Sequence, residues 1–155
     1  MSRAFVKEQD GGEVDQDLPE LVVSPHRNLV TPEGLAQIDA EVVKLREALS
    51  AARAAEDGPA IARCSRDLRY WAQRRSSAEV VPPPADATTV RFGSSVVLQP
   101  ADGPPTTFRI VGEDEAAPAD GRISYVSPLA RSLLGQRVGD EVELAGRSAE
   151  LVAIS

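Results

Sequence analysis

Hydrophobic residues recur at alternating steps of three and four from residue 35 to residue 52, which is the spacing of one helix face in a coiled coil. Thr31 can cap this helix with its hydroxyl, and Pro32 suits the first helical position, where its missing N–H would have no partner. The hydrophobic positions are Leu35, Ile38, Val42, Leu45, Leu49 and Ala52. The pattern predicts a helix that runs to about Glu56.

A second helix is predicted after Asp57-Gly58-Pro59, where the first pattern stops. Gly58 suits the left-handed conformation that ends many helices, and Pro59 cannot continue a helical hydrogen-bond ladder. The same hydrophobic spacing then resumes at Ile61, Cys64, Leu68 and Trp71. Two helices joined by a short turn should fold back on each other, so residues 31–80 are predicted to form an antiparallel helical hairpin.

The hydrophobic period changes after residues 81–87, a segment with three consecutive prolines that favours a stiff, extended linker. Beyond it the hydrophobic residues form short or alternating runs, which predict strands. These runs are residues 89–92, 95–98, 107–111, 123–126, 141–144 and 150–154. One helix is predicted at 128–134, between a Ser127 cap and a Gly135 stop. The fold class is therefore α+β, with a mostly antiparallel sheet and one short helix over residues 88–155.

Residues 1–30 are predicted to be a flexible acidic tail, because their composition offers little hydrophobic surface to bury. The run Leu21-Val22-Val23 could still attach to the folded body. Charged residues near the N-terminus leave no room for the apolar core of a secretory signal, and no segment has the length of a membrane span, so a cytoplasmic protein without membrane contact is expected.

The formal net charge of −7 disfavours a protein that binds nucleic acid on its own. Five arginines nevertheless fall between residues 63 and 75, against Asp67 as the one acid there. Two interpretations stay open, a solvated helix face and a contact with a partner. The single Cys64 and single His26 lie far apart in sequence, so neither a disulfide nor a Cys/His metal site is expected.

Residues 108–115, Phe-Arg-Ile-Val-Gly-Glu-Asp-Glu, and residues 123–135, which include Tyr125-Val126-Ser127-Pro128, resemble the C-terminal domain of the Gre transcript-cleavage factors. Residues 29–34, 90–94 and 138–140 are similar to further segments of the same family. The resemblance implies an FKBP-like C-terminal domain behind a helical hairpin, and a partner, bacterial RNA polymerase, whose secondary channel receives the hairpin.

The resemblance also directs attention to the tip of the hairpin, where Gre factors carry an acidic loop that completes a second Mg²⁺ site in the polymerase. That loop motif is absent here, and each helical arm is several turns shorter. Glu56 and Asp57 still place two carboxylates at the tip. Two hypotheses stay open: an ordinary solvated turn, or a role in assisting the polymerase's own Mg²⁺.

Ser127 and Pro128 correspond to the loop and helix start that the family presents to the rim of the polymerase channel. Val126 stands where many relatives have Asp or Asn. The resemblance therefore implies a partner-binding surface at these three residues, although plain helix capping explains Ser127 and Pro128 equally well.

The expected function is that of a monomeric regulator of transcription elongation with little or no stimulation of transcript cleavage. Such a protein is not itself an enzyme, has no cofactor of its own, and meets nucleic acid only through the polymerase complex. The alternative is a non-catalytic competitor of Gre factors that resembles the Rnk proteins. Prolyl isomerisation is disfavoured, because the C-terminal part has few aromatic residues for such a pocket, and fold alone does not carry function.

Overall fold

The computed structural model describes residues 18–155. The first two helices in this range form a hairpin. Helix α1 spans Pro32–Ala54 and helix α2 spans Gly58–Ser77. Thr31 caps α1, since its hydroxyl accepts a hydrogen bond of 3.0 Å from the Gly34 N–H, and Pro32 follows as the first helical residue. Ile38, Val42, Leu49 and Ala52 on α1 are buried, so the predicted hydrophobic seam is the packing face of the hairpin.

A short parallel ladder closes the base of the hairpin. Strand β1, Leu29–Val30, precedes α1 and pairs with strand β2, Glu79–Val80, which follows α2. Hydrogen bonds of 2.8 Å from Glu79 N to Asn28 O and 2.9 Å from Val81 N to Val30 O tie the two ends together. The end of the predicted flexible tail is thus part of a strand, because its backbone groups have partners beyond α2. Residues 1–17 of that tail lie outside the described residues.

The C-terminal part is built around a five-stranded mixed sheet. Its strands lie in the order β5-β4-β3-β7-β6, and all neighbouring pairs are antiparallel except β4 and β5. The strands are β3 Ser95–Pro100, β4 Thr106–Val111, β5 Arg122–Ser124, β6 Glu141–Leu144 and β7 Arg147–Ile154. Two 3₁₀ turns, Glu113–Glu115 and Pro118–Asp120, connect β4 to β5.

The core of this part lies between the sheet and helix α3, Pro128–Leu133. Strand residues at every second position turn inward, as in Val96 and Leu98 of β3, both fully buried. Ala130 and Leu133 of α3 are fully buried against them. Gly135 follows the helix with φ 84°, so the predicted stop is confirmed.

Two predicted strands are wrong or shorter than expected. Residues 89–92 form no strand, because Val90 exchanges backbone hydrogen bonds of 2.9 Å with the loop after α3, at Gln136 O and Gly135 N. The run 123–126 keeps its strand only to Ser124, since Ser127 N donates to Ser124 O in the turn that leads into α3.

Candidate partner-binding site

The tip of the hairpin is a tight turn over residues 55–57. Asp57 is the N-cap of α2, and its carboxylate accepts a hydrogen bond of 3.1 Å from the Ala60 N–H. Gly58 and Pro59 are the first residues of α2, so the predicted left-handed Gly58 is wrong. The left-handed residue is Glu56, with φ 52°, because the chain reverses one residue before the Asp57 cap.

The two tip carboxylates therefore have different surroundings. Asp57 uses its carboxylate to complete a helix N-terminus, whereas Glu56 is exposed outside helical geometry. Within residues 18–155, no cluster of three or more His, Cys, Asp and Glu side chains could hold a metal ion. The geometry leaves Glu56 as the one tip carboxylate without a structural hydrogen bond to a helix end.

The start of α3 presents the second predicted surface. Ser127 accepts a hydrogen bond of 3.3 Å from the Ala130 N–H, and Pro128 is exposed at the first helical position. The Val126 N–H lies 3.3 Å from the Ser124 hydroxyl, which accepts its hydrogen bond. The cap thus fixes the conformation of residues 126–128 on the surface of the sheet domain.

A groove of about 400 Å³ runs beside Pro128. Its floor and walls come from α3 and from the turn between β6 and β7. The lining residues are Pro128, Leu129, Ser132, Glu143, Leu144, Ala145 and Gly146. The rigid helix start and this groove form one continuous surface that a partner can contact.

A buried ionic contact joins the base of the hairpin to the sheet domain. The Arg74 side chain on α2 is 2% exposed, and its Nε lies 2.5 Å from the Asp114 carboxylate in the first 3₁₀ turn. Arg74 also donates to the Asn28 side-chain oxygen at 2.7 Å and lies 3.7 Å from Glu113. The Tyr70 hydroxyl donates to Asp114 at 2.6 Å. Burial and the Asp114 carboxylate raise the pKa of Tyr70 to about 12.

A second buried carboxylate, Glu115, holds the start of α1. It accepts hydrogen bonds of 3.0 Å from the N–H groups of Thr31 and Gly112, and a further one from the Thr31 hydroxyl. Gly34 makes this approach possible, because a Cβ there would lie 2.1 Å from the Glu115 side chain. The contacts of Arg74 and Glu115, which we call the junction, fix the base of the hairpin against the sheet domain.

Comparison with known proteins connects this arrangement to a family. The profile described as "Transcription elongation factor, GreA/GreB, C-term" matches residues 85–154. Transcription elongation factor GreA of Rhodospirillum rubrum is 34% identical over 143 residues, which cover 74% of this chain and 86% of that protein. The chain belongs to the GreA/GreB family.

One further relative and two solved structures are also similar to this GreA/GreB-family protein. Transcription elongation factor GreB of Xanthomonas axonopodis pv. citri is 38% identical over 74% of this chain and 80% of its own length. Among solved structures, GreA/GreB from Nitrosomonas europaea is 18% identical over 83% of this chain and 98% of that chain, with a TM-score of 0.42. GreA factor homolog 1 of Thermus thermophilus is 22% identical, covering 84% and 99% respectively, with a TM-score of 0.41.

Family membership confirms the resemblance that the sequence carries, and the α+β fold class is confirmed with it. The partner-binding role of Val126, Ser127 and Pro128 and the metal-assisting role of Glu56 and Asp57 stay predictions. The junction of this GreA/GreB-family protein was not predicted. The sequence carries no local signal for it, because the acidic run Glu113-Asp114-Glu115 after β4 is equally typical of a solvated loop. No helix within residues 18–155 combines the length and the hydrophobicity that a membrane crossing requires.

Proposed function

We propose that this protein binds bacterial RNA polymerase at the secondary channel and regulates elongation with little or no stimulation of transcript cleavage. The single observation that carries the proposal is the tip of the hairpin. Asp57 is committed to capping α2, and the turn offers Glu56 alone as a free carboxylate. A single carboxylate on an exposed turn is a poor supplement to a Mg²⁺ site, because Mg²⁺ demands near-octahedral geometry with its oxygen ligands held in defined positions.

The length of the hairpin supports the same conclusion. Helices of 23 and 20 residues are about 35 and 30 Å long at 1.5 Å per residue. A hairpin of this length can occupy the entrance of a channel, and the junction keeps it at a fixed angle to the sheet domain. In this proposal the start of α3 and the neighbouring groove dock on the rim of the channel.

The protein is a regulator in this proposal, and the chemistry belongs to the polymerase. No cofactor of its own is needed, because any Mg²⁺ involved is held in the polymerase active site. Nucleic acid is contacted only within the polymerase complex, and one copy of the chain is enough to place one hairpin in one channel.

A second candidate function is a Rnk-like competitor that acts only by excluding Gre factors. The capped Asp57 favours it, since a tip without chemistry leaves occupancy of the channel as the remaining effect. The two candidates differ in whether the protein alters elongation when no Gre factor is present.

Stalled, backtracked elongation complexes provide the test. The protein alone should leave the transcript uncleaved or nearly so, and in excess it should slow the cleavage that an added cleavage factor stimulates. The double variant Glu56→Ala/Asp57→Ala should compete as well as the parent. Strong cleavage by the parent that disappears in the double variant would overturn the proposal.

The docking surface has a matched pair of variants. Pro128→Glu places a charge at the exposed first position of α3, and Pro118→Glu does the same at the exposed first position of the second 3₁₀ turn. Polymerase pull-down should weaken for Pro128→Glu and stay at the parent level for Pro118→Glu. Equal binding by the two variants would place the docking surface elsewhere.

A further inference from the structure

Residues 18–27, which we call the strap, lie along the outside of α2 without forming a helix or strand. Arg27 pairs with Glu79 just beyond the end of α2, at 2.5 Å, and Glu20 pairs with Arg69 ten positions earlier on the hairpin. The Tyr125 hydroxyl donates to the backbone oxygen of Arg27 and fixes the lower end of the strap. The strap therefore extends along α2 for about 12 Å, the helical rise over the eight positions from Arg69 to the end of the helix at Ser77.

The surface that the strap approaches is a row of arginines on α2. Arg63, Arg66 and Arg69 are spaced by three, so they lie on one face of the helix. Arg66 also bonds its neighbour Asp67 at 2.8 Å, and Arg63 is exposed. The hydrogen bond from Arg69, supported by the positive charge of Arg66, lowers the pKa of Glu20. Glu20 thus lies within the field of this arginine row.

The strap is held weakly. Both partners of the Glu20–Arg69 pair are more than half exposed, at 61% and 57%, and pairs of this kind contribute little to stability. Val22 is 90% exposed, and Leu21 is 39% exposed, so few apolar contacts add to the ionic one. A segment held in this way can leave α2 when a stronger anion competes for the same arginines.

We propose that the strap is an autoinhibitory contact, in which Glu20 occupies the arginine row of α2 and a phosphate-bearing polymer must displace it to bind there. The sequence supports this beyond Glu20, because Glu8, Asp10, Glu13, Asp15 and Asp17 continue the acidic composition outside the described residues. Guanidinium groups bind phosphate through paired N–H donors, which gives a polyanion an advantage over a single carboxylate. The strap restricts such binding to partners that present several phosphates at once. The inference does not depend on the proposed polymerase contact, since neither the tip nor the start of α3 takes part.

The test compares the full chain with Glu20→Gln, using two probes: a labelled single-stranded RNA decanucleotide and an inorganic polyphosphate of similar charge. Loss of the Glu20 contact should tighten binding of both probes by about two- to fivefold, the range that an exposed ion pair allows. Amide hydrogen exchange in residues 18–24 should become faster in the same variant. If only RNA binds the variant more tightly, the competitor of the strap is nucleic acid. If both probes bind more tightly, the competitor is phosphate in general.

Glu141→Gln is the matched control, because Glu141 is an exposed carboxylate on β6 outside the groove beside Pro128 and the variant has the same net charge. It should bind both probes as the parent does. Arg69→Gln should release the strap without tightening phosphate binding, since it removes a member of the row. The proposal is overturned if Glu20→Gln and Glu141→Gln bind alike, if neither probe binds any variant, or if polyglutamate binds the Glu20→Gln protein better than RNA does.

Discussion

At both the base and the tip of the hairpin the chain enters or leaves a helix, and the polar groups there need partners. The two regions supply these partners in opposite ways. At the base, Thr31 and Arg74 are almost completely buried, and their polar groups are bound by carboxylates of the sheet domain. At the tip, one exposed cap at Asp57 and one left-handed residue at Glu56 suffice. Loss of a polar partner at the base leaves a charge buried without a hydrogen bond, whereas at the exposed tip water can replace a lost partner. The orientation of this hairpin is therefore determined at its base.

The largest expected effect comes from Arg74→Met. The variant leaves Asp114 and Glu113 at a buried site without their cation, and breaking a buried ion pair in this way costs about 3–5 kcal/mol. Thermal unfolding followed by circular dichroism should show a clear loss of stability. Arg75→Met is the control, because Arg75 pairs with Asp39 at an exposed site, where a pair contributes about 0–1 kcal/mol. Similar losses of stability in the two variants would mean that the Arg74 contacts stabilise the fold no more than an exposed ion pair does.

Two glycines give a second test of base against tip. Gly34→Ala places a methyl group 2.1 Å from the Glu115 side chain, so we expect a loss of about 1–3 kcal/mol from overpacking. Gly58→Ala meets nothing within 4 Å and should stabilise the helix by about 0.5–1 kcal/mol. Urea unfolding midpoints measure both. A Gly34→Ala protein as stable as the parent would show that the Glu115 contact adapts freely.

The tip itself offers a pair of variants with opposite signs. Asp57→Ala removes the cap of α2 and should cost about 1 kcal/mol. Glu56→Gly relieves a left-handed conformation and should stabilise by up to about 1 kcal/mol. Hydrogen exchange of the first turn of α2 should rise in the first variant and fall in the second. Changes that reach the junction in either variant would contradict the independence of the two ends.

The smallest expected effect is a titration at the base. The pKa of Tyr70 is raised from 10.0 to about 12, so the folded state favours the neutral phenol. This contribution to stability is complete below about pH 10 and is lost as the pH rises toward 12. Tyrosinate absorbance in Tyr125→Phe, which leaves Tyr70 as the one tyrosine, should show a midpoint well above that of the urea-unfolded chain. Identical midpoints would mean that the phenol is not bound to Asp114.

The hairpin, most strands and α3 could be predicted from the sequence, because each depends on a local signal. Alternating steps of three and four gave the seam of α1, and a hydroxyl followed by proline marked the starts of α1 and α3. A related signal lies at the tip, where Asp57 can cap a helix and Pro59 suits its first turn, but Gly58 between them fits a helix end equally well. The cap at Asp57 is what places the turn at residues 55–57.

The junction could not be predicted, because it depends on contacts between residues far apart in the chain. Arg74 belongs to a group of five arginines whose composition is typical of a solvated helix face. It is nevertheless buried, because its side chain binds Asp114, forty residues later. The strand predicted at residues 89–92 is wrong for a similar reason, since the backbone partners of Val90 lie in the loop after α3. Periodicity reports which face of an element is apolar, and it carries no information on which polar residue is paired across domains.

The parallel ladder of β1 and β2 has a consequence for how this protein can vary in evolution. Since the two ends of the hairpin are joined to each other, the length of its arms is independent of the rest of the molecule. Removal or insertion of the same number of turns in both helices leaves the ladder and the junction in place. The hairpin is therefore a spacer whose length can vary while the ladder and the junction stay unchanged. Matched insertions or deletions in both helices are enough to change how far its tip extends.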